Sequence, residues 1–380
     1  MTFLNHASTG PLPRRTLDAL TTWGALRAEP WRITLERQFG LLVRGRELCA
    51  RLIGATPDEI AMMVNTTYGI NFAARSLPMA PGEIVVSSER EFPANIYPWM
   101  ALEKSRGVRL HLVPCRDRLA DEEALLKAIE QPGVRALTVS WVSFETGKRL
   151  DLMRLGRACR ERGIFFVVDA IQGVGAAPLD VKACQIDILA NGAQKWLLSP
   201  WGTGFTYVRK ELITQLEPTD TGWMSVPASL DFTNFLNYKL EFFDDARRFE
   251  VITLPFQDFA GMDAALELFF EVGLDRVHSL VRARADQIVA WAERRPDIRL
   301  VTPADPEARA GIVALIPSDP AGTSKRLEEA GVAHSLREGA IRLSPHFYTT
   351  EEEVDRALQL IATDARAFST TSHASTGDEG

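Results

Sequence analysis

Cysteine is scarce in this sequence, and its four copies show no pattern of a shared site. None belongs to a Cys-x-x-Cys pair, and no histidine stands at metal-ligand spacing from any of them. Disulfide frameworks and structural zinc sites both depend on such spacings. We therefore expect no disulfide framework and no metal, and we interpret Cys49, Cys115, Cys159 and Cys184 as buried or incidental thiols.

Long apolar runs and an excess of positive charge are also missing. No window approaches the roughly 18 apolar residues of a membrane span, and the start, MTFLNHASTGPLP, lacks the basic and apolar regions of a signal peptide. Lys and Arg total 43 against 50 Asp and Glu, and this net charge of −7 disfavours binding to nucleic-acid phosphates. We expect a cytoplasmic protein that binds neither membranes nor nucleic acids.

Common phosphate-binding and hydrolase motifs are incomplete or absent. GVGAAP (173–178) and GTGF (202–205) lack the full glycine pattern of a nicotinamide site, and ETGKRL (145–150) has no upstream glycine at Walker spacing. Neither Gly-x-Ser-x-Gly nor His-Glu-x-x-His occurs. These absences disfavour nicotinamide-dependent oxidoreductases, P-loop enzymes and the hydrolases that carry those motifs.

Short apolar strands alternate with amphipathic helices along the 380 residues, of which 46% are hydrophobic and 24% charged. Strands rich in Val, Ile, Leu and Phe are predicted at residues 83–87, 108–113, 134–141, 164–168 and 186–190. The clearest helix runs from about residue 152 to 162, between Asp151 as N-cap and Gly163 as the stop. This alternation predicts an α/β fold with a mostly parallel sheet.

The pattern changes at about residue 261. After it we predict a helix around 280–294, short strands near 298–301, 312–316 and 340–343, and a closing helix at 351–362. The predicted domains are an N-terminal segment near the active site (1–14), a large domain (15–260) and a small α+β domain (261–365). Residues 366–380 are rich in Ser, Thr and Gly, and they predict a disordered tail.

Two charged residues at the ends of predicted strands are the strongest candidates for chemistry. Asp169 ends IFFVVD, and Lys195 follows the next strand in NGAQKWLL. Each has an ordinary explanation, because an aspartate there is commonly a turn residue and a loop lysine is commonly solvated. Pyridoxal phosphate, however, requires a Schiff-base lysine, a carboxylate for its pyridinium nitrogen and a donor-rich phosphate pocket. The sequence offers all three.

The motif VDAIQG with its downstream lysine, FLNHASTGPLP near the start and IRLSPHFYTTEEEVDRAL near the end resemble the class V aminotransferase superfamily. This group of fold-type I pyridoxal-phosphate enzymes includes cysteine desulfurases and isopenicillin-N-epimerase-like proteins. The resemblance covers nearly the whole chain. It implies pyridoxal 5'-phosphate as the cofactor, a large domain with a mostly parallel sheet of the seven-stranded type, and a small α+β domain.

The resemblance also implies roles for the residues that match the family's cofactor motifs. Lys195 would be the Schiff-base lysine and proton shuttle, Asp169 the partner of the pyridine nitrogen, and Gln172 a donor to the ring hydroxyl. In VNTTYGIN, Thr66 and Thr67 would bind the phosphate at a helix N-terminus, where the helix dipole favours an anion. A threonine N-cap without a ligand is the alternative for this motif.

Three further matches surround the cofactor. Phe92, in SEREFPANIYPW, stands where desulfurases carry a histidine over the ring, so it can stack but cannot transfer a proton. Gln194 replaces the histidine that precedes the lysine in those relatives, and its amide can still donate to phosphate. Thr253, in FEVITLPF, matches the threonine that reaches the partner subunit's phosphate, which implies a homodimer with shared active sites.

The substrate side shows one match and two departures. Arg342 matches the family arginine that binds the substrate α-carboxylate through its planar fork, and the resemblance places Asn5 and His6 near the site mouth. Phe144 stands where desulfurases have a substrate-side asparagine, and GVAHSLREGAIR lacks the cysteine that accepts a persulfide. A persulfide-forming desulfurase is therefore disfavoured, although a C–S lyase that needs no cysteine is not.

The resemblance implies an enzyme that acts on a small-molecule amino acid through an external aldimine. We predict an aminotransferase-type reaction, because the cofactor set is complete and no specialised acid or acceptor residue is present. β-Elimination and epimerisation begin from the same chemistry and stand as alternatives. A catalytically idle binding protein is the alternative from another class, and the presence of Lys195, Asp169, Gln172 and Arg342 argues against it.

Overall fold

A sheet of seven strands forms the centre of the computed structural model, which describes residues 1–362. The strands of this part of the chain are β1 (Thr2–Phe3), β2 (Ile60–Met63), β3 (Ile84–Ser88), β4 (Arg109–Val113), β5 (Val134–Ser140), β6 (Phe165–Asp169), β7 (Ile188–Gly192), β8 (Gly204–Val208), β9 (Arg299–Leu300), β10 (Val313–Ile316), β11 (Val332–Ala333), β12 (Ser335–Arg337) and β13 (Ala340–Leu343).

Helices lie between most of these strands. In the same residues they are α1 (Arg14–Ala28), α2 (Leu35–Ile53), α3 (Thr66–Ser76), α4 (Tyr97–Arg106), α5 (Glu122–Ala128), α6 (Leu152–Glu161), α7 (Lys210–Ile213), α8 (Phe256–Val272), α9 (Leu274–Glu293), α10 (Pro320–Glu329) and α11 (Glu351–Ala362). Local capping fixes α6, because Asp151 accepts the Arg154 backbone N–H and Gly163 follows the helix at φ 64°.

The large sheet has the strand order β2-β8-β7-β6-β5-β3-β4. All strands are parallel except β8, which is antiparallel to both of its neighbours. The predicted α/β fold with a mostly parallel sheet is confirmed. Helices cover both faces, so β7 and β8 are buried at every residue and read as continuous apolar or small-residue runs.

The five strands predicted for this sheet correspond to β3, β4, β5, β6 and β7, each within two residues at either end. The two strands that the sequence did not reveal are β2 and β8. β2 is only four residues long, and β8 begins inside the glycine fragment GTGF, which is more typical of a loop. Pairing with β7 places this short segment in the sheet.

Helices α8 and α9 show where the large unit ends. The boundary predicted at residue 261 falls inside α8, whose Phe259 and Phe269 are buried in the core of the large sheet. Val281 of α9 belongs to that same core, whereas Ile288, two turns later, belongs to the core of the small unit. The sequence changes at 261 because α8 is buried on most sides, and the two units meet along α9.

The small unit is an antiparallel sheet with the order β12-β13-β10-β9. Its predicted strands agree with β9, β10 and β13, and the closing helix agrees with α11. One face of the sheet packs under α9, α10 and α11 through residues such as Ile341 and Leu343 of β13. The other face, which carries Ala340 and Arg342, is turned away from those helices.

The first ten residues join the two units. β1 pairs in parallel with β11, and Asn5 forms a bridge with Ser344. Further on, the Gly10 N–H donates to the Gln194 carbonyl at 2.9 Å. A Cβ on Gly10 would lie 2.3 Å from the Lys195 carbonyl oxygen, so only glycine allows this approach. The N-terminal segment therefore lies directly on the loop that follows β7 and carries Lys195, the lysine loop.

Two observations concern segments outside this core. None of the helices in residues 1–362 has the length and apolar character needed to cross a membrane. The tail predicted to be disordered, residues 366–380, lies outside the described residues.

Candidate active site

Lys195 and Asp169 meet at the carboxyl edge of the large sheet. Asp169 is the last residue of β6 and pairs with Ala190 of β7, and Lys195 lies three residues beyond the end of β7. Burial lowers the pKa of Lys195 to about 8; the Asp169 carboxylate opposes this shift, and the charges of Arg342 and Arg337 add to it. The lysine is thus partly neutral near physiological pH.

The Asp169 carboxyl is buried, and only one of its two oxygens accepts a hydrogen bond from the described residues. Burial raises its pKa to about 6, against a hydrogen bond from the Ile171 N–H to Oδ1 at 3.1 Å and the nearby Lys195 charge. No residue in the described chain donates to Oδ2. A buried carboxylate oxygen without a donor fits the protonated ring nitrogen of the cofactor that the resemblance implies.

Gln172 and Trp196 support the lysine loop from below. The Gln172 amide donates from Nε2 to the Ala7 carbonyl and accepts the Trp196 indole N–H at Oε1, both at 3.0 Å. Gln172 is buried, and Trp196 has no exposed surface. These bonds leave one N–H of the Gln172 amide for the ring hydroxyl that the resemblance assigns to it.

The N-terminus of α3 and Gln194 form a cradle suited to an anion. Asn65 caps the helix by accepting the Tyr68 N–H, and the first backbone N–H groups of a helix have no acceptor within it. The Thr66 hydroxyl accepts the Gly192 N–H at 2.8 Å, so it supports the strand end, and exposed Thr67 is free to reach a ligand. Gln194 Oε1 is buried without a partner among the described residues.

This cradle fits a phosphate. A helix N-terminus offers free N–H donors and a favourable dipole, and an orphaned buried amide indicates a missing hydrogen-bond partner. Because the oxygen and nitrogen of an amide side chain are interchangeable in position, Gln194 can present its NH₂ group instead. Thr67 and Gln194 can therefore make the phosphate contacts that the resemblance implies, and the Thr66 hydroxyl, which accepts the Gly192 N–H, still has its own proton to donate.

Two phenylalanines close the space above the lysine. The Lys195 Nζ lies 5.7 Å from the ring centroid of Phe92, which packs edge-on against Phe144 at 5.3 Å. Phe92 is 45% exposed, so its outer face is open to a planar ligand. Neither ring carries an exchangeable proton.

Glu91, which the sequence analysis missed, fixes Phe92 to the sheet. Its carboxylate accepts the Ser140 N–H at 2.8 Å, the Ser140 hydroxyl proton and the Asn95 side-chain N–H at 3.2 Å. Burial raises the pKa of Glu91 to about 7 against the hydrogen bonds from Ser140 and Asn95, and the Asp169 charge makes a smaller contribution in the same direction as burial. Ser140 is paired with Asp169 in the sheet, so Glu91 ties the ring-covering loop to the catalytic edge.

Arg342 is a buried arginine that has no carboxylate partner among the described residues. It is 2% exposed on β13 and donates from Nη1 to the Phe144 carbonyl at 2.6 Å and from Nη2 to the Ser8 hydroxyl at 2.8 Å. Its Nε has no partner among the described residues. Burial lowers the pKa of Arg342 to about 10, and the Arg337 charge contributes. A buried guanidinium held only by neutral acceptors is prepared for an anionic ligand.

The N-terminal candidates differ in their access to the site. Asn5 accepts the Ser335 hydroxyl proton at 2.7 Å, and the same Ser335 hydroxyl accepts an N–H of Arg342, so Asn5 is linked to Arg342 through Ser335. His6 is fully buried, and both its ring nitrogens are used, one by the Ser344 carbonyl and the other by the Tyr348 hydroxyl. His6 thus has no atom to offer a substrate and belongs to the support of the site, which corrects its predicted place at the mouth.

His6 also contacts His346 in an aromatic cluster, with ring centroids 4.8 Å apart. Burial lowers the pKa of His6 to about 4 and that of His346 well below its ordinary value. Both rings are therefore neutral at physiological pH. They join the N-terminal segment to the chain that follows β13.

Thr253 lies apart from the lysine cleft. It is exposed, and its Oγ1 accepts the Trp223 indole N–H at 3.0 Å. Trp223 also lines an apolar groove of about 760 Å³ formed by parts of residues 221–240. Thr253 thus adjoins this groove and not the Lys195 loop.

The structure therefore brings together most of the predicted residues at one sheet edge and adds four that were missed. The added residues are Ser8, Glu91, Ser335 and Arg337. A sequence signal existed for Arg337, which precedes Arg342 across the turn-forming pair Glu-Gly in SLREGAIRL. For the serines and Glu91 no local pattern distinguishes them from surface residues. Among residues 1–362, no group of three or more His, Cys, Asp or Glu side chains is placed to hold a metal ion.

Known proteins resemble this chain over nearly its whole length. The family model described as Aminotransferase class-V matches residues 2–357. Isopenicillin N epimerase from Streptomyces clavuligerus is 31% identical over 367 residues, covering 93% of this chain and 92% of that protein. A probable cysteine desulfurase from Methanothermobacter thermautotrophicus is 29% identical over 376 residues, covering 93% and 92%.

A solved structure shares the fold. The complex of the cystine C–S lyase C-DES with its product cysteine persulfide has a TM-score of 0.86 to this chain, at 24% sequence identity. The similarity covers 95% of this chain and 97% of the other. The fold prediction from the sequence is confirmed at this level.

Proposed function

The chain belongs to the Aminotransferase class-V family, and on that premise we propose that it catalyses an aminotransferase-type reaction at the α-carbon of an amino acid. It is a pyridoxal-phosphate enzyme of fold type I. The observation that carries the proposal is buried Arg342, which lacks a carboxylate among the described residues and whose charge reaches Lys195. An amino-acid carboxylate supplies the missing charge.

The residues fit the cofactor on each of its sides. Lys195 would hold it covalently, Asp169 would keep the proton on its ring nitrogen, and Phe92 would cover its ring. Thr67 and Gln194, with the N-terminus of α3, would bind its phosphate. When bound, pyridoxal phosphate supplies an electron sink that stabilises negative charge at the substrate α-carbon.

Lys195 is suited to move the α-proton. With a pKa of about 8, its amine is neutral in an appreciable fraction of molecules near neutral pH and can accept a proton, and its ammonium form can return one. Phe92, whose ring centroid is 5.7 Å from the Lys195 Nζ, packs against Phe144, and neither ring offers a second acid or base. A single proton-transferring group suffices for an aminotransferase-type reaction.

Arg342 orients the substrate. Its Nη1 and Nη2 groups are held by the Phe144 carbonyl and the Ser8 hydroxyl, so the planar fork has a fixed direction before substrate arrives. A carboxylate bound to this fork places the α-carbon between β13 and the lysine loop. This pre-organisation reduces the entropy lost on binding.

Epimerisation is the second candidate, because the relative that is 31% identical is an isopenicillin N epimerase. Inversion requires a proton to be delivered to the opposite face of the α-carbon. The two phenylalanines beside Lys195 cannot deliver one, and this favours the aminotransferase-type reaction. The distinction is chemical and can be measured directly.

The test has two parts. Borohydride reduction of the yellow purified protein, followed by peptide mapping, should fix the cofactor on Lys195, and label on another lysine would refute the assignment. The protein is then incubated with a panel of L- and D-amino acids and a keto-acid acceptor. We expect a new keto acid in equal amount to the amino product. Inversion without keto acid identifies an epimerase, and release of ammonia or sulfide identifies a lyase.

We also propose that two copies of the chain form a homodimer that shares its active sites through Thr253. Thr253 adjoins the apolar groove of residues 221–240, where Leu236, Tyr238 and Leu240 are 80%, 85% and 71% exposed. Contiguous apolar surface of this kind is typical of a protein interface. Light scattering should give the mass of a dimer.

Variants test whether this surface is the interface. Tyr238→Asp should shift the protein towards monomer and weaken cofactor retention, because a buried charge disfavours the interface. Met153→Asp is the matched control, since Met153 is 51% exposed on α6, away from the groove. A Tyr238→Asp protein that stays dimeric and keeps its cofactor contradicts the proposal.

A further inference from the structure

The hairpin that carries Arg342 also carries a second arginine on the same face. β12 and β13 pair with Ser335 opposite Arg342 and Arg337 opposite Ala340. Residues paired directly across antiparallel strands, and residues two apart along one strand, lie on one face of a sheet. Arg337, Ser335 and Arg342 therefore share a face. The contact of 3.3 Å from Arg342 Nη2 to the Ser335 hydroxyl agrees with this arrangement.

On β13, that face is turned towards the Phe144 loop and the N-terminal segment, which Arg342 contacts. The opposite face of β13 carries Ile341 and Leu343, which are fully buried in the small core. Arg342, by contrast, donates to groups outside its own unit, the Phe144 carbonyl and the Ser8 hydroxyl. Arg337 is exposed, so its guanidinium stands at the open end of the face on which Arg342 is buried.

The turn between the two strands holds Arg337 in register. Glu338 and Gly339 both have positive φ, 46° and 77°, which is the geometry of a type I′ two-residue hairpin turn. This turn matches the twist of the flanking strands and fixes their pairing. Arg337 consequently occupies a defined position relative to Arg342.

Arg337 has no carboxylate within ion-pair distance anywhere in residues 1–362, while the acidic residues of the same rim are engaged elsewhere. Glu145 pairs with both Arg90 and Arg118, and the Glu338 carboxylate contacts Arg90 at 3.9 Å. The charge of Arg337 nevertheless reaches the candidate active site. Burial is the main cause of the lowered pKa of Lys195 and of Arg342, and the Arg337 charge contributes to both. The cleft thus holds two guanidinium groups that lack an acidic partner in the described chain.

We propose that Arg337 selects the substrate, and that this substrate is an amino acid with a second anionic group besides its α-carboxylate. This inference rests on the proposed function and names its substrate class. Arg342 takes the α-carboxylate, and Arg337, on the same face, takes a carboxylate or similar anion on the side chain. A dianionic substrate neutralises both guanidinium groups, whereas a neutral side chain leaves Arg337 in water.

Binding of simple acids to the purified holoenzyme tests this without relying on turnover. Isothermal calorimetry compares the dicarboxylates succinate, glutarate and adipate with the monocarboxylates of equal chain length. We expect the wild type to bind at least one dicarboxylate about tenfold more tightly than its monocarboxylate counterpart, as for one added charge-assisted contact. In Arg337→Ala this preference should disappear while monocarboxylate affinity stays unchanged.

Two further variants complete the design. Arg337→Lys should recover part of the preference, because a point charge replaces the planar fork. Arg294→Ala, at an exposed arginine just past the end of α9, is the matched control and should keep the full preference. An equal loss of affinity for both acid series in Arg337→Ala would mean that Arg337 acts through Arg342, which overturns the proposal.

Failure of this inference can be told apart from failure of the proposed function. If the wild type carries its cofactor on Lys195 yet binds both acid series equally, the substrate class is wrong and the function stands. If borohydride labels another lysine, the proposed function fails whatever the acids show.

Discussion

The two walls of the active-site cleft are balanced in different ways. On the wall built by the large unit, the Lys195 ammonium faces the Asp169 carboxylate, and each influences the pKa of the other. On the wall built by the β12–β13 hairpin, Arg337 and Arg342 have no acidic partner among residues 1–362. The first wall thus pairs two opposite charges within the protein. The positive charges of the second wall can be neutralised only by a ligand, so they indicate an anionic substrate.

Removing the carboxylate of the first wall should have the largest effect. In Asp169→Ala, nothing holds the proton on the cofactor's ring nitrogen, so we expect kcat to fall by about 10³-fold, comparable with the loss of a preorganised electrostatic group. Binding of a monocarboxylate inhibitor, which depends on the second wall, should change little. Asp169→Asn, which keeps the shape without the charge, should behave like the alanine variant. A kcat within a few-fold of wild type would show that turnover does not depend on the carboxylate of the first wall.

Removing the buried charge of the second wall should affect binding first. Arg342→Ala should retain the cofactor while KM rises steeply. The transition-state stabilisation calculated from kcat/KM should fall by about 2 to 4 kcal/mol, as for loss of a buried charged partner. Arg342→Lys should restore only part of this, because it lacks the bidentate fork. Steady-state kinetics together with the visible spectrum measure both properties. Near-normal KM in Arg342→Ala for every amino acid that the wild type turns over would make the arginine structural.

Acid should weaken the support of the second wall. The pKa of His6 is lowered to about 4 in the folded protein, and that of His346 well below its ordinary value, so below pH 6.5 the unfolded chain binds more protons than the folded one. Their stabilisation is complete above pH 6.5 and is lost as pH falls, by about 1.4 kcal/mol per pH unit for each histidine at most. Urea unfolding between pH 7.5 and 5 measures this slope. His6→Gln, which cannot become charged, should show a shallower one, and an unchanged slope counts against the assignment.

The smallest expected effect is a shift in the titration of Lys195. Attachment of pyridoxal phosphate to the apoprotein needs the neutral amine, so its rate should rise with pH around a midpoint near 8. Because Asp169 raises the pKa of Lys195 and Arg337 lowers it, Asp169→Asn should move the midpoint down and Arg337→Ala should move it up. Stopped-flow absorbance across the pH range measures these shifts. Identical midpoints in all three proteins would mean that the two walls do not influence each other through Lys195.

The first wall was predicted from the sequence far better than the second. Asp169 and Lys195 follow apolar strands, and parallel strands bring their carboxyl ends together by a general rule of α/β folds. Each clue lies within a few residues of the side chain it identifies. The short strands β2 and β8 lacked such clues and are defined by pairing with distant chain.

The second wall depends on contacts between distant parts of the chain. Ser8 contacts Arg342 across 334 positions of sequence, and no local pattern marks a serine for that contact. The resemblance places His6 at the site mouth, but the ring packs against His346 and Tyr348 instead. Glu91 was missed for the same reason, since its partner Ser140 lies on another strand.

The N-terminal segment has a consequence for how this protein is made. His6 is synthesised 338 positions before its hydrogen-bond partner Ser344. During synthesis, β1 must therefore wait unpaired until β11 has been translated. The large sheet can fold earlier, because its strands are complete by Val208. Asp169 and Lys195 are thus synthesised well before the hairpin that carries Arg342, so the two walls cannot meet until β13 has been translated.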